Sequence, residues 1–336
     1  MPEFDAIIIG TGQAGPALCR RLTAAGMQVA IVERHRFGGT CVNTGCTPTK
    51  TLVASAYAAH MARRAADYGI KIQGSVQTDM KQVKARMHRV VARSSTAVER
   101  SLRSNPRCTV YAGHARFVSS YEVAVGDAIL HAERIFINVG GRAHVPDLPG
   151  LAQIDYFTNS SILEIDFVPP HLIVVGGSYV GLELAQIYRR FGSMVTVIEM
   201  APRLIPREDE DVSEGVADIL RREGIELRVG SRDLRIERRG EGFAVSLRGG
   251  DGTAETAGTH LLLAAGRRPN TDDLGLDKAG IAADARGYIE VDDQLRTNVP
   301  DVFALGDCNA RGAFTTRRGT ISRSSRPTSS IRTKGT

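Results

Sequence analysis

Residues 7–33 read IIIGTGQAGPALCRRLTAAGMQVAIVE, and residues 173–199 read IVVGGSYVGLELAQIYRRFGSMVTVIE. The two stretches superpose at a constant offset of 166 residues: Gly10 falls on Gly176, Gly15 on Gly181, Gly26 on Gly192, Val29 on Val195 and Glu33 on Glu199. Each copy runs through a short β-branched strand, a glycine turn, an amphipathic helix, a glycine stop, a second strand and an acid. That order is the signature of a dinucleotide-binding βαβ unit. The glycines let backbone N–H groups approach a pyrophosphate, and the helix N-terminus presents its positive end to that anion. The closing acid accepts a hydrogen bond from a ribose hydroxyl. The copies differ at one glycine: Gly12 in the first is Ser178 in the second, and Ser tolerates a close backbone approach less well.

Around this repeat, residues 51–102 read as two long helices with a break near Tyr68–Gln77. Residues 109–139 read as short strands that exit at Gly140. A similar apolar strand exits at Gly266, and Pro146, Pro149 and Gly150 mark a boundary. The run Asp301–Asp307 places a glycine and an acid at the carboxyl end of a strand, where doubly wound sheets put ligand-binding groups. The expected architecture is α/β, with two Rossmann-like domains, the second inserted in the first. Residues 1–149 and 270–314 form the first domain, 150–269 the second, and 315–336 a disordered basic tail.

Just beyond the first acid, residues 38–50 read GGTCVNTGCTPTK. Cys41 and Cys46 are five apart, about 7.5 Å along an ideal helix axis and on different faces. A disulfide needs Cα atoms within about 7 Å. Gly45 and Pro48 suggest a distorted first turn that brings the sulfurs together, and a helix N-terminus stabilises the thiolate formed on reduction. Two unrelated thiols near a turn is the competing reading.

Together the GxGxxG turn with Glu33, the GGTCVNTGCTPTK segment and Ala304-Leu305-Gly306-Asp307 resemble the class I pyridine nucleotide-disulfide oxidoreductases, over about residues 4–314. The mercuric-reductase-like and dihydrolipoamide-dehydrogenase-like branches are the most similar. The resemblance implies FAD in the first domain, held by Gly10, Gly12, Gly15, Glu33, Gly39, Thr40, Gly140 and Asp307. It implies a nicotinamide dinucleotide in the second, held by Gly176, Tyr179, Gly181, Glu183, Glu199 and Gly266, with Tyr179 gating the site. By the same resemblance Cys46 would form the charge-transfer thiolate and Cys41 the interchange thiol. Lys50 would sit near the flavin, paired with Glu183. The implied activity is hydride transfer from NAD(P)H to FAD, then electrons to the Cys41–Cys46 disulfide and onward to a small-molecule or disulfide acceptor. Glu199 repels a 2′-phosphate, so NADH is favoured over NADPH, although Arg203 and Arg207 follow close behind.

The family's dimer-forming third domain, with its His-Pro acid/base, has no counterpart in the sequence; none of the eight histidines precedes a proline. The family homodimer would therefore lack its dimer domain here. The competing expectation is an FAD/NAD-binding remnant without disulfide turnover. Six of the 43 Lys and Arg residues, and no acid, lie in 315–336, which leaves 37 basic against 37 acidic groups in the rest. The net charge of +6 thus gives the folded body no nucleic-acid signature. A shifted reading frame would account for the tail's composition; a genuine basic tail is the rival reading.

The five cysteines are too few and too scattered for a secreted disulfide framework, and no cluster suggests a metal. Cys19, flanked by Leu18 and Leu22, reads as a core thiol, while Cys108 and Cys308 have no evident partner. No stretch approaches the roughly 18 apolar residues of a membrane span, and the N-terminus lacks signal-peptide features. A cytoplasmic protein without membrane or nucleic-acid partners is expected.

Overall fold

The computed structural model describes residues 2–249 and 252–311; the expected tail at 315–336 lies outside them. The chain divides into two compact units, one of residues 1–43, 92–142 and 268 onward, the other of 44–91 and 143–267.

In the first unit, the β-branched run at the N-terminus forms β1 (Glu3–Ile9), followed by α1 (Gly15–Ala24) and β2 (Val29–Glu33). β1 pairs in parallel with β2 and with β6 (Ala128–Ile137), and β2 pairs in parallel with β3 (Cys108–Ala112), the strand at the sheet edge. β5 (Glu122–Val125) adds antiparallel to residues 128–131 of β6, and β4 (Ala115–Phe117) pairs antiparallel with β5. β17 (Val302–Ala304) pairs in parallel with residues 135–137 of the same strand. Side chains of β1 alternate between two cores. Ala6 and Ile8 face Leu18, Cys19 and Leu22 of α1, whereas Ile7 and Ile9 join Phe117, Val123 and Val302 on the other face. A parallel sheet must be covered on both faces in this way, which is why β1 reads as a continuous apolar run. Between these strands α2 (Gly39–Asn43) carries the first cysteine of the motif.

The second unit repeats the plan. β9 (His171–Val175), α5 (Tyr179–Phe191) and β10 (Met194–Ile198) form its βαβ unit, and the parallel sheet runs β11 (Glu226–Arg228), β10, β9, β15 (His260–Leu263), β8 (Tyr156–Phe157). An antiparallel meander, β12 (Arg232–Arg239), β13 (Gly242–Gly249) and β14 (Gly252–Gly258), covers one face, where Leu234, Ile236, Phe243 and Val245 meet Ile173 and Val175. Helices cover the other: α5, α6 (Glu210–Arg222), α3 (Cys46–Arg63) and the first part of α4 (Met80–Arg103). A two-stranded ribbon of β7 (Gly141–Ala143) and β16 (Arg267–Pro269) lies where the chain passes between units.

The units do not follow the sequence division at 149, 150 and 269. Segment 44–91 clusters with the second unit because Leu52, Ala56, Met80 and Met87 share one core with Leu184, Ile187 and Tyr188 of α5. The buried Tyr188 hydroxyl is satisfied by donating to Ile162 O at 2.8 Å. None of the described helices is long and apolar enough to cross a membrane.

Leu52 is 2% exposed in that shared core. Leu52→Ala is therefore expected to destabilise the protein by about 2–5 kcal/mol, the cost of a buried large-to-small change. Urea unfolding followed by far-UV circular dichroism measures it; a cost near zero would detach α3 from the second unit's core.

Candidate functional site

The first cradle forms where β1 ends. Gly10 has φ +102°, and a Cβ there would lie 2.4 Å from Asn138 O. A Cβ on Gly15 would lie 2.4 Å from Gly10 O, and one on Gly39, which has φ +61°, would lie 2.7 Å from the Gly12 Cα. These glycines are demanded by backbone contacts, so the turn presents main chain and not side chains to whatever it holds.

Asn138 is the residue the sequence reading missed. It directly follows β6, is buried, and its Nδ2 donates to Gly10 O at 3.3 Å. A Cβ on Gly12 or Gly15 would meet this same Nδ2 at 3.3 or 3.0 Å, and one on Gly306 would come 3.5 Å from Oδ1. Asn138 thus packs under three glycines of the turn and under the glycine beside Asp307, which stands half-buried after β17. The only hint in the sequence is one polar residue directly after the apolar run Ile135–Ile137.

Glu33, at the end of β2, reaches back to the turn. Its Oε2 accepts from Thr11 N at 3.1 Å and from the Thr11 hydroxyl, while Oε1 accepts from His35 N at 3.0 Å. Thr11 Oγ1 in turn accepts from Gly38 N at 3.0 Å, which ties the turn to the segment that starts α2. A carboxylate offers about four acceptor sites, so Glu33 keeps room for one more donor, as a ribose hydroxyl requires.

The second cradle reproduces this arrangement. Gly176 has φ +119°, a Cβ there would lie 2.4 Å from Ala264 O, and one on Gly181 would lie 2.0 Å from Gly176 O. Glu199 accepts from Gly177 N at 2.6 Å and from Ala201 N at 2.7 Å. Ala264 stands where the first cradle has Asn138, and it explains the glycine that became Ser178: no amide side chain sits under that position, so a Cβ has space. Ser178 is the N-cap of α5 without a side-chain cap bond. Tyr179 follows, about one-third exposed, and its hydroxyl donates to Glu208 Oε1, which raises its pKa above the usual phenol range. Arg203 Nη2 donates to Glu208 O at 3.2 Å. Glu208 went unnoticed in the sequence.

Gly140 and Gly266 sit after β6 and β15 with φ +66° and +105°, and neither would bring a Cβ within 4 Å of a neighbour. They are conformational exits from the strands, distinct from the close-contact glycines. Thr40 lies in α2 beside Cys41, which is half-buried. Cys46 opens α3 and is exposed; Gly45 before it has φ −136° and ψ −118°, an irregular entry into the helix. Both cysteines stand as thiols, Cys41 at the end of one unit's first segment and Cys46 at the start of the other's. One turn into α3, Lys50 Nζ forms an ion pair with Glu183 Oε1 of α5.

The profile of the pyridine nucleotide-disulphide oxidoreductase family matches residues 4–326. A mercuric reductase of Streptomyces lividans is 35% identical over 93% of this chain and 66% of its own length. The probable pyridine nucleotide-disulfide oxidoreductase RclA of Escherichia coli is 34% identical over 94% of this chain and 68% of its own. A solved structure of that HOCl-induced flavoprotein disulfide reductase superposes with a TM-score of 0.83 at 33% identity, covering 95% of this chain and 69% of the other. The chain spans about two thirds of the length of the curated relatives it matches. It belongs to the pyridine nucleotide-disulphide oxidoreductase family.

Two glycines with positive φ separate contact from conformation. Gly26 has φ +92° and would bring a Cβ near nothing, so Gly26→Ala is expected to cost only the left-handed backbone penalty of about 1–2 kcal/mol. Gly10→Ala adds the overlap with Asn138 O and is expected to cost roughly 1–3 kcal/mol more. Paired thermal melts of the two variants measure the difference; equal costs would contradict the close packing of the turn.

Proposed function

We propose that this chain, as a member of the pyridine nucleotide-disulphide oxidoreductases, is a cytoplasmic FAD-dependent NAD(P)H:disulfide-type oxidoreductase. One observation carries the reading: the same strand-end carboxylate grips the same turn amide twice, Glu33 on Thr11 and Glu199 on Gly177, in a chain that also bears the CVNTGC segment. Two dinucleotides and a dithiol are the parts such an enzyme needs.

The residues fit FAD in the first cradle. Gly10, Gly12, Gly15, Gly39 and Thr40 would surround its pyrophosphate, Glu33 its ribose, and Gly140 and Asp307 the remainder. Gly176, Tyr179, Gly181, Glu183, Glu199 and Gly266 would hold the nicotinamide dinucleotide. When bound, FAD supplies hydride acceptance and two-electron transfer, chemistry that no side chain provides.

The chain's own part is to bind, orient and relay. The α1 N-terminus favours the pyrophosphate charge over the first cradle, and α5 does so over the second. As a disulfide, Cys41 and Cys46 take up two electrons and two protons to become a dithiol. Cys41 then attacks a substrate disulfide, and Cys46 resolves the mixed disulfide. Glu183 orients the Lys50 ammonium through their ion pair. Glu199, with two acceptor sites left, would take the 2′-hydroxyl of NADH and repel the phosphate of NADPH.

Anaerobic titration of the purified protein with NADH tests the proposal. Bound flavin absorbance is expected, bleaching on NADH, with a long-wavelength band from the Cys46 thiolate. Cys46→Ser should abolish that band and keep the flavin, and NADPH should reduce it more slowly than NADH. A colourless protein that takes up no FAD would overturn the reading.

A further inference from the structure

The cysteine without an evident partner in the sequence has one in the structure: Cys108 Sγ lies 3.3 Å from Cys19 Sγ. Cys19 sits on the inward face of α1 and is fully buried, whereas Cys108 opens the edge strand β3 and is half-buried. The two are held together by more than their own contact. Asn105 Nδ2 donates to Thr23 Oγ1 at 2.8 Å, Arg107 Nη1 donates to Gly26 O at 2.9 Å, and Cys108 is in register with Val29. The turn before β3 is thereby pinned to the C-terminal half of α1, which holds the two cysteines side by side.

We propose that Cys19 and Cys108 form a second dithiol site, separate from Cys41 and Cys46, that closes to a disulfide by exchange with a small-molecule disulfide. Closure needs the sulfurs to approach by roughly 1.3 Å to reach bonding distance. Cys108 is the partner that solvent can reach, so its thiolate attacks the outer disulfide RS–SR. A Cys108–SR bond forms, and RS⁻ leaves with the electron pair of the broken bond. Cys19 then attacks the Cys108 sulfur, the Cys19–Cys108 bond forms, and the second RS⁻ leaves. The two protons lost by the cysteines end on the two RSH, so two protein thiols are oxidised and one disulfide is reduced.

The electrostatics of the pair set this order. The hydrogen bond from Cys19 holds the Cys108 thiol below its usual range, against the opposing effect of burial, and the same bond with burial pushes Cys19 far up. A sulfur that bears a charge attacks first. Once Cys108 is capped it is no longer the thiolate partner that the Cys19 proton bridges to, so Cys19 gives that proton up more readily than it does in the open pair. Cys308 makes a useful contrast. It is buried, donates to Leu305 O at 3.2 Å and is pushed up to about 12, mainly by desolvation, with no second sulfur in reach. The closed bond would tie residue 19 to residue 108 across the 44–91 segment of the sequence, which belongs to the other unit, and so join two of the three pieces of the first unit covalently.

The proposal does not depend on flavin or nicotinamide binding. Its test is incubation of the reduced protein with oxidised glutathione, followed by non-reducing proteolysis and mass spectrometry. A cross-linked Cys19–Cys108 peptide is expected, with a melting temperature raised by roughly 5–10 °C. Cys108→Ser should lose that rise while Cys41 and Cys46 still react, and its Cys19 should stay unmodified; Cys108→Ala serves if the serine variant does not fold. A Cys108–glutathione adduct that persists with Cys19 reduced would overturn the proposal. So would a folded protein in which both thiols survive unchanged.

Discussion

The turn that ends each first strand touches the strand beside it, backbone to backbone. At Gly10 and Gly176 the Cα comes so close to the carbonyls of Asn138 and Ala264 that no side chain fits between. Everything else in each unit is arranged around that contact. It sets how near α1 and α5 begin to their sheets, it lines up the helix N-termini, and it brings Glu33 and Glu199 within reach of the turn amides.

The repeat made much of this legible before any coordinates. A repeat at constant offset shows its residue spacing directly, and the glycine positions carry the physics of close approach. Asn138 was not legible, because its role depends on contacts from Gly10, Gly12, Gly15 and Gly306, and nothing local announces them. The tolerance of Ser178 was hidden for the same reason: whether a Cβ fits depends on Ala264, which lies far along the chain. Cys19 read as a core thiol, and it is one. Its neighbour Cys108 belongs to a strand whose order in the sheet the sequence does not state.

The partition of the chain was the least legible feature. The sequence reads as helix through Leu52 and Ala56, but a helical segment does not name its packing partner. The partner is α5, so the helix that Cys46 opens packs within the second unit, while Cys41 closes the first segment of the other. Lys50 and Glu183 meet as part of the same packing.

β17 is the final strand described, and it completes a sheet whose first strand is β1. Its Phe303 ring stacks on Phe136 at 5.0 Å between centroids. On the ribosome, residues 143–267 have all emerged before this strand exists, so the inserted unit can finish while its host still lacks an edge for β6. The sheet of the first unit must then wait for a partner far along the chain, with one edge of residues 135–137 of β6 open to wrong neighbours.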